Sequence, residues 1–382
     1  MPVDVHITNY PITGLTAQEL VDRFGSLGMT LRLARKLQSS ALRHGVWPED
    51  DSTISQRWLG EIRRQLCIPR LTLVDRRVSV GDGFCKYLFA ADDGARFEAV
   101  LIPLAHRPGA AKAVVCVSSQ AGCAMGCAFC ATGRLGFARN LEPWEIVAQV
   151  AQIRRDTSLP VRGVVFMGMG EPLLNTDAVL QAVRVFSEPS GLAIAAKAIT
   201  LSTVGIVPGI RRLVREPHAF KLVVSLSSAD AAKRRTLMPV EAVHASGDLR
   251  AALAEYHAAT GQRVTLAWIL ISGFNTADAD ARALADWVGD LPVQIDLIDV
   301  NDDTGAFRPP DDAERNAFRD ALRLHLAAPV IRRYSGGKDI HAACGMLAAD
   351  MAPCMTSLPG RRKDNGYPDP AGRGGRVITS DR

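Results

Sequence analysis

From about residue 110 onward the chain alternates apolar runs with amphipathic ones, and this rhythm constrains the fold more than any other feature. "AVVCVSS", "VRGVVFMGMG", "AITLSTVG", "FKLVVSLSS", "RVTLAWILI" and "VQIDLIDVN" read as strands. Interleaved with them, "LEPWEIVAQVAQIRRD", "NTDAVLQAVRVFS", "GIRRLVRE", "GDLRAALAEYHAAT", "DADARALADWVGD" and "DDAERNAFRDALRLH" read as helices. Near-continuous apolar strands separated by amphipathic helices predict an α/β fold with a parallel sheet built from βα units. Six such units leave room for a partial or full βα barrel, whose active site would lie at the C-terminal strand ends. "GMGE", "STVG", "SLSS", "DVN" and a cysteine-rich loop all fall at those ends.

The front of the chain reads differently. Residues 14–26 predict a helix that Thr16 caps, with Glu19 three residues on, the spacing of a capping box. Further helices are expected over 30–44 and 55–66, so residues 1–70 read as a small helical accessory domain. "LTLVDRRVSV", "KYLFAADDG" and "RFEAVLIP" predict a short antiparallel sheet within a linking segment, 71–108, ahead of a core at 109–350. Residues 351–382 are rich in Gly and Pro and read as a disordered basic tail.

With 382 residues and 47% hydrophobic content the chain can bury a large core. It shows neither a signal-peptide pattern nor the roughly 18–20 apolar residues of a membrane span. A soluble cytoplasmic protein without a membrane partner is expected, in a compartment where thiols stay reduced. The net charge of +5 is compatible with a polyanionic partner. Arg32–Gly45 carries four Lys/Arg and no acid, and Glu61–Arg77 carries five arginines against two acids. These stretches read either as solvated helix faces or as phosphate contacts.

Four of the eight cysteines crowd into "CVSSQAGCAMGCAFC", Cys116 to Cys130. A zinc site wants four ligands in close pairs, and no second pair stands nearby. The expected compartment disfavours a disulfide. The third reading is an iron–sulfur cluster on Cys123, Cys127 and Cys130, since thiolates are its usual ligands. Three ligands on a four-iron cubane leave one iron open. CxxxCxxC with an aromatic before the last cysteine (Phe129) resembles the radical S-adenosylmethionine (SAM) superfamily, where the open iron chelates SAM. One electron then cleaves SAM to a 5′-deoxyadenosyl radical.

From Leu15 to Leu347 the sequence resembles the RlmN/Cfr family of radical SAM RNA methyltransferases, as a divergent member. The likeness is carried by "CVSSQAGCAMGCAFCATGRLGFARNL", "VVFMGMGEPLLN", "LSTVGIVPGIRRL", "LMP", "GFN" and "DIHAACGML". It implies a radical SAM barrel, a [4Fe-4S] cluster on Cys123, Cys127 and Cys130, and an accessory domain that helps bind RNA. It implies methylation of an adenosine in ribosomal or transfer RNA, at C2 or C8, with two SAM molecules per turnover. One SAM methylates Cys344; the radical from the second takes a hydrogen from that methyl, and the carbon radical adds to adenine. Cys116 then resolves the protein–RNA link through a transient disulfide with Cys344. The resemblance further implies Glu98 as proton acceptor, Gly170, Glu171, Ser202, Ser225, Leu226, Ser227 and Asn301 as SAM contacts, and an electron donor such as flavodoxin. Cys67, Cys85 and Cys354 match no family role.

Some positions depart from the family. "SLSSA" stands where "SLHAP" is usual, so Ser227 replaces a histidine; Ala267-Trp268 replaces a glutamate–tyrosine pair; "IDVNDDTG" lacks the usual "NP". The expectation is that reaction type is kept while the RNA or the adenosine differs. Two alternatives are weighed beside it. A radical SAM enzyme acting on a non-RNA substrate would need neither the Cys116/Cys344 pair nor a basic accessory domain. An RNA-binding protein with a structural cluster would not need Glu171, Ser202 and Asn301.

Overall fold

Thr16 begins the first helix as its spacing predicts. Its Oγ1 accepts from the Glu19 amide at 3.3 Å, while the Glu19 carboxylate accepts from the Thr16 amide at 2.7 Å. Helices α1 (Ala17–Phe24), α2 (Leu31–Arg43) and α3 (Gln56–Ile62) follow. They bury Leu20, Phe24, Leu37, Leu59 and Ile62 in a small core of their own. The structure is a computed structural model that describes residues 9–104, 111–216 and 218–351. The expected tail from residue 352, with Cys354, lies outside them.

A second, larger core surrounds one ten-stranded sheet. Its strands are β1 (Thr72–Val78), β2 (Cys85–Ala90), β3 (Arg96–Leu104), β4 (Lys112–Cys116) and β5 (Val161–Phe166). They continue as β6 (Ile199–Thr203), β7 (Lys221–Ser225), β8 (Val264–Leu270), β9 (Val293–Asp299) and β10 (Val330–Arg332). Spatial order follows chain order. β1 to β4 pair antiparallel, and from β4 onward every neighbouring pair is parallel. The short antiparallel strands are therefore continuous with the main sheet: Val100 of β3 lies opposite Cys116 of β4. Burial explains this, since Phe97 to Leu101 are all buried and need cover that three isolated strands could not give.

Helix α4 (Ala131–Leu135) follows the cysteine loop. The long covering helices α5 (Pro143–Asp156), α6 (Thr176–Ser187) and α7 (Val207–Arg215) lie where the rhythm predicts. So do α9 (Ser246–Thr260), α10 (Asp278–Val288) and α11 (Asp312–His325). Helix α8 (Ala231–Leu237) is an addition, started by Asp230, whose carboxylate accepts from the Lys233 amide at 2.8 Å.

The two ends of the sheet, β1 and β10, do not pair with each other among the described residues. The chain after β10 fastens to the β1–β2 hairpin instead. Asp82, in the hairpin turn, accepts from Tyr334 Oη and the Gly337 amide, both at 2.8 Å. Asp350 accepts from Arg77 at 2.8 Å, Lys86 at 3.1 Å and His341 Nδ1 at 2.8 Å. Burial alone would raise the Asp350 carboxyl, but the hydrogen bonds and charges of Lys86 and His341 outweigh it and hold it below its ordinary range. Cys344 lies between these two latches. Asp350→Asn should therefore speed amide exchange over residues 338–351 roughly tenfold, the equivalent of the ~1.5 kcal/mol a charge-assisted hydrogen bond contributes. Exchange in β5 to β9 should not change, which hydrogen-exchange mass spectrometry can check.

Candidate active site

The loop after β4 turns back on itself as a small antiparallel ribbon, Gln120–Gly122 against Phe137–Asn140. The Cys123 amide donates to Gly136 O at 2.8 Å, and the Ala128 amide to Leu237 O at 2.9 Å. Held at both places, Cys123, Cys127 and Cys130 all line one cleft at the C-terminal ends of the parallel strands. The cleft holds about 990 Å³ of space when its open mouth is included.

Burial pushes all three thiols above their ordinary range, and the charges of the other cysteines push Cys123 and Cys127 further. Backbone N–H groups of Met125 and Gly170 at Cys123, and of Thr132 and Gly133 at Cys130, pull the other way. Buried thiols crowded by like charge and met by backbone donors suit a bound cation that takes them as thiolates. Among the described residues no three His, Cys, Asp or Glu side chains lie as ligands of a single metal ion.

Gly170 and Glu171 stand on the far wall. Gly170 has φ +99°, and a Cβ there would lie 2.5 Å from Gln120 Cβ, so only glycine fits. The Glu171 carboxylate is buried and accepts from the Leu173 amide at 2.9 Å and the Val204 amide at 2.8 Å. Burial raises it from 4.5 to about 7 in spite of these bonds. Ser202, Ser225 and Asn301 also line the cleft. Asn301 Oδ1 is buried without a partner, an acceptor left for a ligand donor.

Cys344 closes the mouth. Its amide donates to Ser335 Oγ at 2.8 Å, and its carbonyl accepts from Asn301 Nδ2 at 3.2 Å. Next to it, Gly345 O accepts from the Ala131 amide at 2.7 Å, and Leu347 O from Thr132 Oγ1 at 2.8 Å. The Cys344 side chain is exposed, while Cys116 is buried at the end of β4. Burial, then the charge of Cys344, pushes the Cys116 thiol up. The structure thus brings together two cysteines 228 positions apart (344 − 116). All seven described cysteines are free thiols.

Glu98 is no solvated strand carboxylate. It is buried on β3, paired with Lys86 Nζ at 3.1 Å, and accepts from the Ala348 amide at 2.7 Å. It lies beneath the Cys344 segment and does not itself line the cleft. Leu226 and Ser227 do not reach the cleft either. The Leu226 side chain is in the core, and both amides are spent on Ala267 O, at 3.0 and 3.4 Å. The Ser227 carbonyl accepts from Asn275 Nδ2 at 2.7 Å, its φ is +57°, and its hydroxyl is buried without a partner. Ala267 lines the cleft beside Ile298 and makes that wall apolar. Trp268 points the other way, fully buried, with its Nε1 donating to Asn275 O at 3.2 Å. Sequence reading missed Ser335 and Thr132 as holders of the Cys344 segment; the hydroxyl in "YSGGKDI" was the one available sign.

Away from the cleft, the two basic stretches of the front domain meet the barrel. Arg43 donates to Gly191 O at 3.0 Å, Arg154 to Leu192 O at 2.7 Å, Arg155 to Leu42 O at 3.0 Å and Arg70 to Gly45 O at 2.6 Å. Burial, then neighbouring arginines, hold Arg154 and Arg155 below their ordinary range. These four partners are carbonyls, whereas Arg76 of the second stretch pairs with Asp156, next to Arg155, at 2.8 Å.

Residues 117–287 match the Radical SAM superfamily. The chain is 46% identical over 342 residues to a "Probable RNA methyltransferase" of Myxococcus xanthus (strain DK1622), covering 88% of this chain and 94% of that protein. It is 39% identical over 344 residues to the "Dual-specificity RNA methyltransferase RlmN" of Syntrophobacter fumaroxidans (strain DSM 10017 / MPOB), covering 89% and 98%. Its fold superposes on a radical SAM methyltransferase from Sphaerobacter thermophilus with TM-score 0.80 and 37% identity, covering 89% of this chain and 99% of that one.

The buried Glu171 gives a pH signature. Because its folded value is raised from 4.5 to about 7, the ligand-free fold binds this proton more tightly than the unfolded chain. Its contribution to stability is therefore present at low pH and lost as pH rises through that window. Denaturant titrations should show Glu171→Gln gaining on the parent between pH 4.5 and pH 7.5, by up to about 3 kcal/mol.

Proposed function

The chain belongs to the RlmN family of radical SAM RNA methyltransferases, and on that premise we propose that it methylates a ring carbon of an adenosine in ribosomal or transfer RNA through Cys344. The observation that carries the reading is the place of Cys344. Its peptide is tied to Ser335 and Asn301 at the mouth of the cleft that the three loop cysteines line. When bound, a [4Fe-4S] cluster on Cys123, Cys127 and Cys130 and two SAM molecules per turnover supply the radical and the methyl group.

The chain's own residues divide the remaining work. Gly170 and Glu171 hold the amino group of SAM, a cation that suits a carboxylate already ordered by two backbone amides. Ser202, Ser225 and Asn301 offer further polar contacts. Leu226 and Ser227 support that wall from behind. Cys344 presents its sulfur to the RNA from an exposed position. Cys116, buried at the end of β4, is the resolving thiol. Glu98 is the proton acceptor; its two partners leave acceptor capacity on the carboxylate. Arg154 and Arg155, whose recorded partners are carbonyls, take RNA phosphates. A one-electron donor of the flavodoxin kind and a cytoplasmic setting complete the reading; no described helix is long and apolar enough to cross a membrane.

Two outcomes are expected. Cys116→Ala, purified from cells, should carry covalently attached RNA whose sequence identifies the target, while Cys116→Ala/Cys344→Ala carries none. Recovery of Cys116→Ala free of RNA, with methyl label passing to a protein or small molecule, would overturn the RNA assignment. Arg154→Gln/Arg155→Gln should weaken RNA binding across sequences and reduce the salt slope of log K by about 1–2, measured by filter binding.

A further inference from the structure

Arg234 sits on α8 with its side chain wholly removed from solvent. Nη1 donates to the Glu241 carboxylate, which is equally buried, and Nη2 donates to Val204 O at 2.7 Å. The remaining Nε–H has no partner. Such an arrangement is costly: both ions lose their hydration, and an unmade hydrogen bond adds to the loss. Apolar side chains of the same volume would serve stability as well or better.

Its surroundings give it a purpose. Helix α8 ends at Leu237, whose carbonyl anchors the cysteine loop by accepting from the Ala128 amide at 2.9 Å. The Val204 carbonyl accepts from Arg234, and its amide donates to Glu171 at 2.8 Å. The guanidinium thus stands behind the cleft wall, bonded to one of its lining residues. Glu241 also accepts from the Ser246 amide at 3.0 Å and Ser246 Oγ at 3.1 Å. The guanidinium therefore lies between Glu241 and Val204, and of the two ions it is the cation that touches a cleft-lining residue.

We infer that Arg234 is a positioning residue whose buried charge stabilises the reduced, more negative state of the cluster and so sets its reduction potential, with Glu241 as the counterweight. Charge and hydrogen bonding around the sulfurs are known levers on such potentials, and a fixed charge acts strongly in a dry interior. The inference rests on the cluster reading above.

The test is an EPR-monitored redox titration of anaerobically reconstituted full-length protein, with iron and sulfide content measured alongside. Arg234→Met/Glu241→Gln removes both charges without stranding either, and its potential should fall below the parent's. Glu241→Gln alone leaves the cation uncompensated, and its potential should rise. Arg234→Lys keeps the charge and should stay near the parent; if the double variant does not fold, the rise expected of Glu241→Gln carries the test. Shifts of opposite sign are not what a merely structural role would give. A parent that loads no cluster would overturn the cluster reading itself. A parent that loads normally, with no shift or with shifts of one sign, would overturn only the role of Arg234.

Discussion

Two hydrogen bonds to the backbone of one residue carry the arrangement. Cys344 belongs to no helix or strand, so its place is set by side chains: Ser335 on its amide and Asn301 on its carbonyl. Asn301 follows β9 directly and is itself a wall of the cleft. The same residue that fixes Cys344 therefore also faces the cleft with an unpartnered acceptor. The open flank of the sheet gives this segment somewhere to lie. β1 and β10 leave a gap, and the chain after β10 spans it between the Asp82 and Asp350 latches.

The cleft is a place where burial works against charge. Three thiols and Glu171 are all pushed up by loss of water. Each is a group that ligand binding would convert to its charged form, as thiolates on iron or a carboxylate on an ammonium. The fold holds these groups out of water before the ligands arrive, and the ligands repay the cost. Around them the wall is apolar where the family usually has charge: Ala267 lies beside Val223 and Ile298, and Ser227 turns away from the cleft. Both changes sit on adjoining strand ends, joined by the amides of Leu226 and Ser227 on Ala267 O.

Much of this was legible in the sequence, for physical reasons. Long apolar strands need cover on both faces, so the βα rhythm specified the parallel sheet. Thr16 and Glu19 announced α1 because a capping box is a local interaction. CxxxCxxC announced the loop because its ligands must come from one turn. The continuity of β3 with β4 was not legible, since pairing across a sheet leaves no mark in spacing. Nor was the departure of Leu226 and Ser227 from the cleft, which depends on Asn275 from another loop. Ser335, Lys86, Asp350 and Arg234 look like ordinary surface residues in a sequence; only the fold places them beneath Cys344 or behind Cys127.

The central claim is that Cys344 carries the methyl group. Anaerobic protein with its cluster reconstituted, given methyl-labelled SAM, would be digested and its peptides read by mass spectrometry beside Cys344→Ala. The account predicts labelled S-methylcysteine at residue 344 and none in the variant, with the label passing to adenosine when RNA and reductant are added. SAM cleaved to 5′-deoxyadenosine with Cys344 left unmethylated would contradict it.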